Sequence, residues 1–139
     1  MGEYPAERYP HQELTRAIIG AAFRVHNRLG HSFLEKIYER ALAHELRFLG
    51  LFVENQKALA VNYGGEPIGN FAVDLLVERK VIVEIKAVRN ISRSDEEKLV
   101  HYLKVSGIQV GLLINFGRSV QVRRKVFTQP GLHSPKSIQ

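Results

Sequence analysis

The stretch Phe71–Val88 reads FAVDLLVERKVIVEIKAV and predicts a β-hairpin. Two apolar segments, Phe71–Val77 and Val81–Val88, flank a polar break of three residues. That arrangement is typical of two strands inside a sheet that are joined by a tight turn. Side chains alternate between the faces of a strand, so Glu84 and Lys86 point the same way. We expect the turn to bring Asp74, on the first strand, across to Glu84.

Helical spacing of apolar residues predicts two helices before this hairpin and one after it. The first helix is about four turns long and ends at Gly30. The second has Ser32 as its N-cap, with Glu35 three residues later at the spacing of a capping box. The third opens with a similar pattern, Ser94-Asp95-Glu96-Glu97, and ends at Gly107.

Three further strands complete the predicted order. Residues 51–62 alternate in part, Ile108–Phe116 is nearly continuously apolar, and Ser119–Thr128 alternates. A strand, a helix and a second strand form a natural right-handed crossover, so Val81–Val88 and Ile108–Phe116 are expected to be parallel and central. The whole order predicts an α/β fold, a mixed central β-sheet flanked by helices.

Length, composition and charge narrow the class of protein. The 139 residues suit a single domain over 1–139, with loose polar termini at 1–12 and 129–139. No apolar run is long enough to span a membrane, and the N-terminus lacks the apolar core of a signal peptide. The absence of cysteine excludes disulfides and fits a cytoplasmic protein. A net charge of +6 favours a polyanionic partner, with nucleic acid the leading candidate.

Charged side chains on an otherwise core-like strand call for an explanation. Glu84 and Lys86 could lie on the solvated face of an edge strand or form a structural ion pair, which are the commoner situations for charges on strands. In the functional interpretation, Asp74 and Glu84 hold a hard divalent cation, since Mg²⁺ is usually held by one or two carboxylates with waters and phosphate. Lys86 would then position or deprotonate an attacking water and offset charge on a phosphate.

Three residues on the first two helices have plain structural interpretations. His26, near the end of the first helix, is of a kind more often found at a helix end or surface than as a ligand. Glu35 fits a capping box as well as it fits an acidic cluster. Tyr38, one turn further along the same face, fits the edge of a core.

The charged residues of the hairpin resemble a known signature. Asp74, nine intervening residues and then Glu84-Ile85-Lys86 resemble the D-x(n)-E-x-K motif of the PD-(D/E)XK nucleases. The predicted order of elements also resembles the α-β-β-β-α-β core of that restriction-endonuclease-like fold. Four blocks in order, the run 22–30, FLEKIYERAL, DLLVERKVIVEIKAV and YLK with GLLINFG, are similar to the GxxExxY proteins, a small bacterial group of the same superfamily.

This resemblance implies roles for individual residues. Asp74 and Glu84 match the metal-binding carboxylates, and the backbone carbonyl of Ile85 adds a ligand for Mg²⁺ or Mn²⁺. Lys86 matches the catalytic lysine. Glu35 matches an acidic residue that some branches of the superfamily bring towards the metal.

The third helix and the start of the second carry the remaining correspondences and two departures. Tyr102 matches the tyrosine of a QxxxY element that lies near the active site in relatives. Lys98 stands at the glutamine position of that element, where it could contact a phosphate or form an ion pair that disables the site. Ser32 stands at the second glycine of the GxxExxY group's own motif. His26 could correspond to a histidine used by exonuclease-like branches.

Together these features predict a divalent-metal-dependent nuclease that hydrolyses phosphodiester bonds, with DNA favoured over RNA. Arg123, Arg124 and Lys125 form a basic cluster on the last predicted strand that would hold the nucleic-acid backbone. Analogy with small nucleases that need two sites suggests a homodimer. The alternative is a catalytically silent nuclease fold that binds nucleic acid or a partner protein, which Lys98 and the small size support. A third hypothesis is a dimeric interaction protein whose basic charge serves only solubility.

Overall fold

The computed structural model describes residues 9–128. The elements in chain order are α1 (Gln12–Leu29), α2 (Glu35–Phe48), β1 (Val53–Tyr63), β2 (Glu66–Val77), β3 (Val81–Lys86), α3 (Arg93–Ser106), β4 (Val110–Phe116) and β5 (Val120–Val126). The predicted loose C-terminus 129–139 and residues 1–8 of the predicted loose N-terminus lie outside the described residues. No helix within residues 9–128 has the length and apolar character to cross a membrane.

The five strands form one mixed sheet in the order β1-β2-β3-β4-β5. Strands β3 and β4 are parallel, and every other pair of neighbours is antiparallel. Strand β4 is buried at each of its positions, as its continuous apolar run predicts. These findings confirm the α/β fold with a mixed central sheet flanked by helices, and they confirm the predicted parallel pair at its centre.

The sheet separates two apolar cores. Helices α1 and α2 pack on one face, where β3 contributes Val83 and Ile85. Helix α3 packs on the other face, where β3 contributes Ile82. The alternation along β3 therefore places Glu84 and Lys86 on the α3 face, as the period of two predicts. Because β3 is the third strand of five, the interpretation of these two residues as charges on an edge strand is wrong.

The predicted N-cap of α2 is wrong. The helix begins at Glu35 after an extended Leu34, and no side chain caps it. Ser32 has a φ of 84°, and its hydroxyl hydrogen-bonds to the ring of His31 over 2.8 Å. A residue in the left-handed region cannot also take the extended conformation of an N-cap. The position therefore has the backbone geometry that favours glycine.

Helix α3 begins two residues earlier than predicted, because Ser92 and not Ser94 is its N-cap. The Ser92 hydroxyl accepts a hydrogen bond from the Asp95 N–H (3.0 Å), and the Asp95 carboxylate accepts one from the Ser92 N–H (3.3 Å). A capping box is present, as expected, but Asp95 closes it in place of a glutamate. This shift fixes the position of Asp95 beside the end of β3.

A close approach at Gly111 sets the height of α3 above the sheet. A Cβ atom at this position on β4 would lie 2.7 Å from Cδ1 and 3.1 Å from Cγ of Leu99. Leu99 is buried, so its side chain has little space into which it could move. Glycine at this position therefore lets α3, with its polar residues, lie directly against β3 and β4.

Replacing Gly111 by alanine should lower the free energy of unfolding by about 1–3 kcal/mol, because the new methyl group overpacks a filled core. Gly69→Ala is the matched control, since a Cβ atom there meets nothing within 4 Å. Urea denaturation of both variants would check the expectation. Equal stability of the two variants would show that α3 is free to shift away from the sheet.

Candidate active site

Asp74 and Glu84 meet where β2 and β3 separate. The ladder between these strands ends at the pair of Leu75 with Val83, although Asp74 and Glu84 would be the next pair. Carboxylates replace the missing backbone bonds: the Asp74 N–H donates to Glu84 Oε2 (3.0 Å), and the Ile85 N–H donates to Asp74 Oδ2 (2.8 Å). The hairpin thus brings the two carboxylates together, as predicted, and it opens a gap beside them.

The other side of Asp74 is also irregular. Gln56 of β1 faces Asp74 in the register but makes no ladder pair with it. Its φ is 47°, in the left-handed region that non-glycine residues rarely adopt. The amide Nε2 of Gln56 donates to Asp74 Oδ1 (3.2 Å) and to Glu39 Oε1 of α2 (3.0 Å). One amide therefore joins the candidate site to a glutamate that is only 5% exposed.

The environment of Glu84 disfavours its charge. Burial is the largest effect and the negative charge of Asp74 the next, and together they raise the pKa of Glu84 from 4.5 to about 7. The hydrogen bond from the Asp74 N–H and the charges of Lys98 and Lys86 act in the opposite direction but do not outweigh them. Two carboxylates are therefore held together at a cost in electrostatic energy.

Lys86 is held by the helix cap and not by the neighbouring glutamate. Its Nζ lies 3.4 Å from Oδ1 of Asp95, so the alternative interpretation, in which Lys86 forms a structural ion pair with Glu84, is wrong. Burial alone would raise the pKa of Asp95, but its hydrogen bonds with Ser92 and the nearby Lys86 outweigh burial and lower it. The ammonium group of Lys86 thus has a fixed carboxylate partner on α3.

Lys98 and Tyr102 of α3 lie at the same opening. The side chain of Tyr102, first, and then the charges of Glu84 and Asp74 raise the pKa of Lys98, although partial burial opposes them. Lys98 Nζ is 5.6 Å from the centre of the Tyr102 ring, which stacks on Phe71 at 4.3 Å. Among residues 9–128 no ion pair joins Lys98 to either carboxylate. Lys98 is therefore an exposed cation near the carboxylates and does not block them by an ion pair.

Glu35 does not join the two carboxylates in a cluster of acidic side chains within residues 9–128. It is exposed at the first residue of α2, and in the described part of the chain no hydrogen bond or ion pair joins it to Asp74 or Glu84. Glu39, one turn later, is the α2 carboxylate that Gln56 connects to Asp74. The sequence carried one signal for this, since Glu39 is a charged residue on the apolar face of an amphipathic helix.

Tyr38 and His26 have structural roles, in agreement with the structural interpretations that the sequence favoured for them. The Tyr38 hydroxyl donates to the carbonyl of Gly30 (2.6 Å), and its ring stacks on Phe116 with the ring centres 4.6 Å apart. The His26 ring donates from Nε2 to the carbonyl of Gly117 (2.8 Å). Both residues therefore fix loops next to the parallel strands.

The basic residues of β5 do not form one patch. Arg123 and Lys125 point to the α3 face, where both pair with Glu96 at 3.6 Å and 2.7 Å. Arg124 points to the opposite face and donates to the carbonyl of Pro10. The alternation of a strand separates the three cations, and one glutamate neutralises part of the charge of two of them.

The opening between β2 and β3 offers oxygen donors to a cation. Within residues 9–128 no group of three or more His, Cys, Asp or Glu side chains forms a metal cluster. Asp74 and Glu84 supply carboxylates, and the Ile85 carbonyl shares the side of β3 from which its N–H reaches Asp74. Mg²⁺ and Mn²⁺ favour oxygen ligands, and Mg²⁺ often uses only one or two protein carboxylates. These residues therefore fit such a cation, which would also relieve the repulsion between them.

Glu84→Gln should stabilise the protein above neutral pH in the absence of metal. The folded pKa of Glu84, about 7, is higher than its ordinary value of 4.5, so its contribution to stability is fully present below pH 4.5 and is lost as the pH rises through 7. That shift corresponds to about 3 kcal/mol. Melting temperatures at pH 5 and pH 8 in EDTA would measure it.

The matched control is Glu97→Gln, which changes an exposed glutamate of α3. Glu84→Gln should gain stability over the wild type at pH 8 and much less at pH 5, whereas Glu97→Gln should show no such dependence. A gain that is the same at both pH values would contradict the raised pKa of Glu84.

Comparison with known proteins gives the family. A family model of the PD-(D/E)XK nuclease superfamily matches residues 12–126. No curated protein matches the chain. Among solved structures, the chain is similar to one described as "Crystal structure of SSO0001", with 18% identity and a TM-score of 0.49. That match covers 88% of this chain and 62% of the other, so this chain spans less than two thirds of that protein's length.

The finer resemblance to the GxxExxY proteins stays a prediction, because the matching model describes the whole superfamily. The matched residues run from the first residue of α1 to the last residue of β5. They include every helix and strand of the described structure, together with Asp74, Glu84 and Lys86. The chain belongs to the PD-(D/E)XK nuclease superfamily.

Proposed function

We propose that this chain hydrolyses phosphodiester bonds of nucleic acid with the help of Mg²⁺ or Mn²⁺. The observation that carries the proposal is the meeting of Asp74 and Glu84 at the gap between β2 and β3, where the pKa of Glu84 is raised to about 7. Two half-buried carboxylates side by side are a natural place for a divalent cation. Nucleases of this superfamily generally use such metals.

Each residue of the site has a definite part in this reaction. Asp74, Glu84 and the Ile85 carbonyl would hold the cation, which when bound polarises the phosphate and the attacking water. The water oxygen would add to phosphorus as it gives up a proton to solvent, and one P–O ester bond would break as the leaving oxygen takes a proton from solvent. Negative charge builds up on the phosphate and on the leaving oxygen during this exchange. Lys86, held by Asp95, orients the water and offsets that charge.

Lys98 would serve as a second cation at the mouth of the site. It is exposed on α3, near both carboxylates and without an ion pair to either. An ammonium group in this position can contact a phosphate that enters from solvent. The stacked rings of Tyr102 and Phe71 support the helix face from which Lys98 extends.

Gln56 would act as a positioning residue for Asp74. A non-glycine residue in the left-handed region costs about 1–3 kcal/mol, and such residues persist where surrounding contacts hold them. Here the contacts are the hydrogen bonds of the Gln56 amide with Asp74 and with the buried Glu39. The arrangement orients one oxygen of Asp74 and leaves the carboxylate facing the gap.

Gln56→Gly should keep the stability of the fold but weaken Mn²⁺ binding about tenfold. Glycine removes the strain of the positive φ and also removes the amide that orients Asp74, and losing such an outer partner typically costs 10–100-fold in metal affinity. A thermal-shift titration with Mn²⁺ would measure the change. Gln109→Ala, which removes a glutamine that bonds Thr128 far from the site, is the control. Unchanged Mn²⁺ affinity in Gln56→Gly would remove Gln56 from the site.

Cleavage assays with Mg²⁺ or Mn²⁺ test the proposed function directly. The wild type should cut plasmid DNA, single-stranded DNA or RNA, and Glu84→Ala and Lys86→Ala should each lose about a hundredfold or more of that activity. Lys80→Ala, which removes an exposed lysine just before the opposite end of β3, should cut like the wild type. Equal activity in all preparations would mean a contaminating nuclease and would refute the assignment.

Non-catalytic binding of nucleic acid is the second candidate function. It is favoured by the position of Lys98, whose charge already lies near Asp74 and Glu84. It is also favoured by the exposed Glu35, which forms no acidic cluster with them within residues 9–128. In that case no preparation cuts, and binding of oligonucleotides is the same in EDTA and after Glu84→Gln. DNA as the preferred substrate remains part of the proposal, and comparing cleavage of the three substrates would test it. A homodimer as the working form also remains part of the proposal, and sedimentation of the full chain would test it.

A further inference from the structure

A polar cleft of about 350 Å³ lies at the carboxyl ends of the parallel strands β3 and β4. Three loops line it. The loop between α1 and α2 contributes His31, the loop after β3 contributes Arg89 and Asn90, and the loop between β4 and β5 contributes Arg118 and Ser119. In open α/β sheets, ligands commonly bind outside the carboxyl ends of parallel strands. The cleft is therefore in a favourable place for a ligand, and the catalytic proposal does not use it.

The charge of the cleft is positive and uncompensated. No aspartate or glutamate is among its lining residues. Arg89 and Arg118 are exposed, and neither forms an ion pair with any residue that the structure describes. Arg123 and Lys125, in contrast, share Glu96. Two guanidinium groups without a carboxylate partner make a site for an anion, and their geometry suits the oxygens of a phosphate.

The walls of the cleft are fixed by buried contacts. Asn115 of β4 is fully buried, and its side chain accepts from the N–H of Val88 (2.9 Å) and donates to the carbonyl of Val88 (2.8 Å). A Cβ atom on Gly117 would lie 2.8 Å from that same carbonyl oxygen. The His26 ring also donates a hydrogen bond to the carbonyl of Gly117. A ligand would therefore enter a cleft whose loops are already ordered, which lowers the cost of binding.

The cleft is a short distance from the candidate active site. Lys86 pairs with Asn115 in the register of the parallel strands, and Arg89 follows Lys86 by three residues. Arg89 follows Glu84 by five residues, and five residues of extended chain span at most about 18 Å. The phosphates of one DNA strand repeat about every 3.4 Å along the helix axis. A strand with a phosphate at Asp74 and Glu84 thus has another phosphate within reach of the cleft about five nucleotides away.

We propose that this cleft binds one backbone phosphate of a nucleic-acid strand that has another phosphate, about five nucleotides away, at the carboxylates. Arg89 and Arg118 would hold its oxygens, with Asn90 and Ser119 as neutral donors. The claim that the bound phosphate belongs to a strand lying at the active site rests on the proposed function. The claim that the cleft binds an anion follows from the unpaired arginines and the ordered loops. Binding of the nucleic-acid strand at this cleft would not depend on metal.

The test is the binding of a fluorescein-labelled oligonucleotide in EDTA, measured by anisotropy at several salt concentrations. Arg89→Ala/Arg118→Ala should bind at least tenfold more weakly than the wild type, and its slope of log K against log salt should be shallower by about 1 to 2. Arg16→Ala/Lys80→Ala is the control, because it also removes two exposed cations but lies away from the cleft. It should lose less than threefold.

Melting temperatures show whether each variant is folded, and Arg89→Lys/Arg118→Lys, which keeps the charge, should recover part of the affinity. Equal losses in the cleft variant and the control would overturn the proposal, because they would show only non-specific attraction. Melting temperatures in the presence of inorganic phosphate are a further measurement. If phosphate raises the melting temperature of the wild type but not of the cleft variant, while both bind the oligonucleotide equally, the cleft takes free phosphate and the proposal is wrong.

Cleavage separates this proposal from the proposed function. If the wild type cuts and the cleft variant binds and cuts equally well, the cleft proposal fails and the nuclease assignment stands. If the wild type binds but does not cut, and the cleft variant loses binding as expected, the cleft proposal stands and the nuclease assignment fails. A wild type that binds no oligonucleotide even at low salt overturns the cleft proposal.

Discussion

The structure depends on an exchange of hydrogen bonds at one point of the sheet, where carboxylates take the place of backbone groups. The Asp74 side chain accepts from the N–H of Ile85, and the Glu84 side chain accepts from the N–H of Asp74. These bonds satisfy buried backbone donors, so β2 and β3 can separate without leaving them unpaired. The separation brings two negative groups together in a half-buried place, which raises the pKa of Glu84. Ordinary backbone hydrogen bonds between β2 and β3 would be more stable here, but they would not bring together carboxylate ligands for a cation.

Helix α3 links this point to the rest of the fold. Asp95 closes the capping box with Ser92, and the same carboxylate holds Lys86. The start of the helix and the position of the lysine are therefore one structural feature. The absence of a side chain at Gly111 allows Leu99 to reach the sheet, and this brings Lys98, one residue earlier, near the two carboxylates. Residues that would be described as structural thus determine the electrostatics of the site.

Much of the fold could be predicted from the sequence, because the relevant signals are local. These signals are the period of two in the hairpin, the apolar run of β4 and the spacing of Asp74, Glu84 and Lys86. Each of them lies within one short stretch of the chain. The contacts of Glu39 and Gln56 could not be predicted in this way, since they depend on the register of β1 and on a left-handed φ that no sequence pattern announces. The prediction of Ser32 as the N-cap of α2 was wrong for a related reason, because serine is a good N-cap only in an extended conformation.

The positive charge of the chain shows why a count of cations says little about where an anion binds. The run of three basic residues on β5 is the most obvious cluster in the sequence, yet alternation sends Arg124 to the opposite face, and Glu96 pairs with Arg123 and Lys125. Arg89 and Arg118 are 29 positions apart in the chain, but two loops at the same end of the parallel strands bring both to the wall of one cleft. A cation attracts a phosphate most strongly where no carboxylate already holds it. Within residues 9–128, the topology of the sheet therefore brings two arginines without a carboxylate partner together in one cleft beyond the end of β3, where their charge is available to an anion.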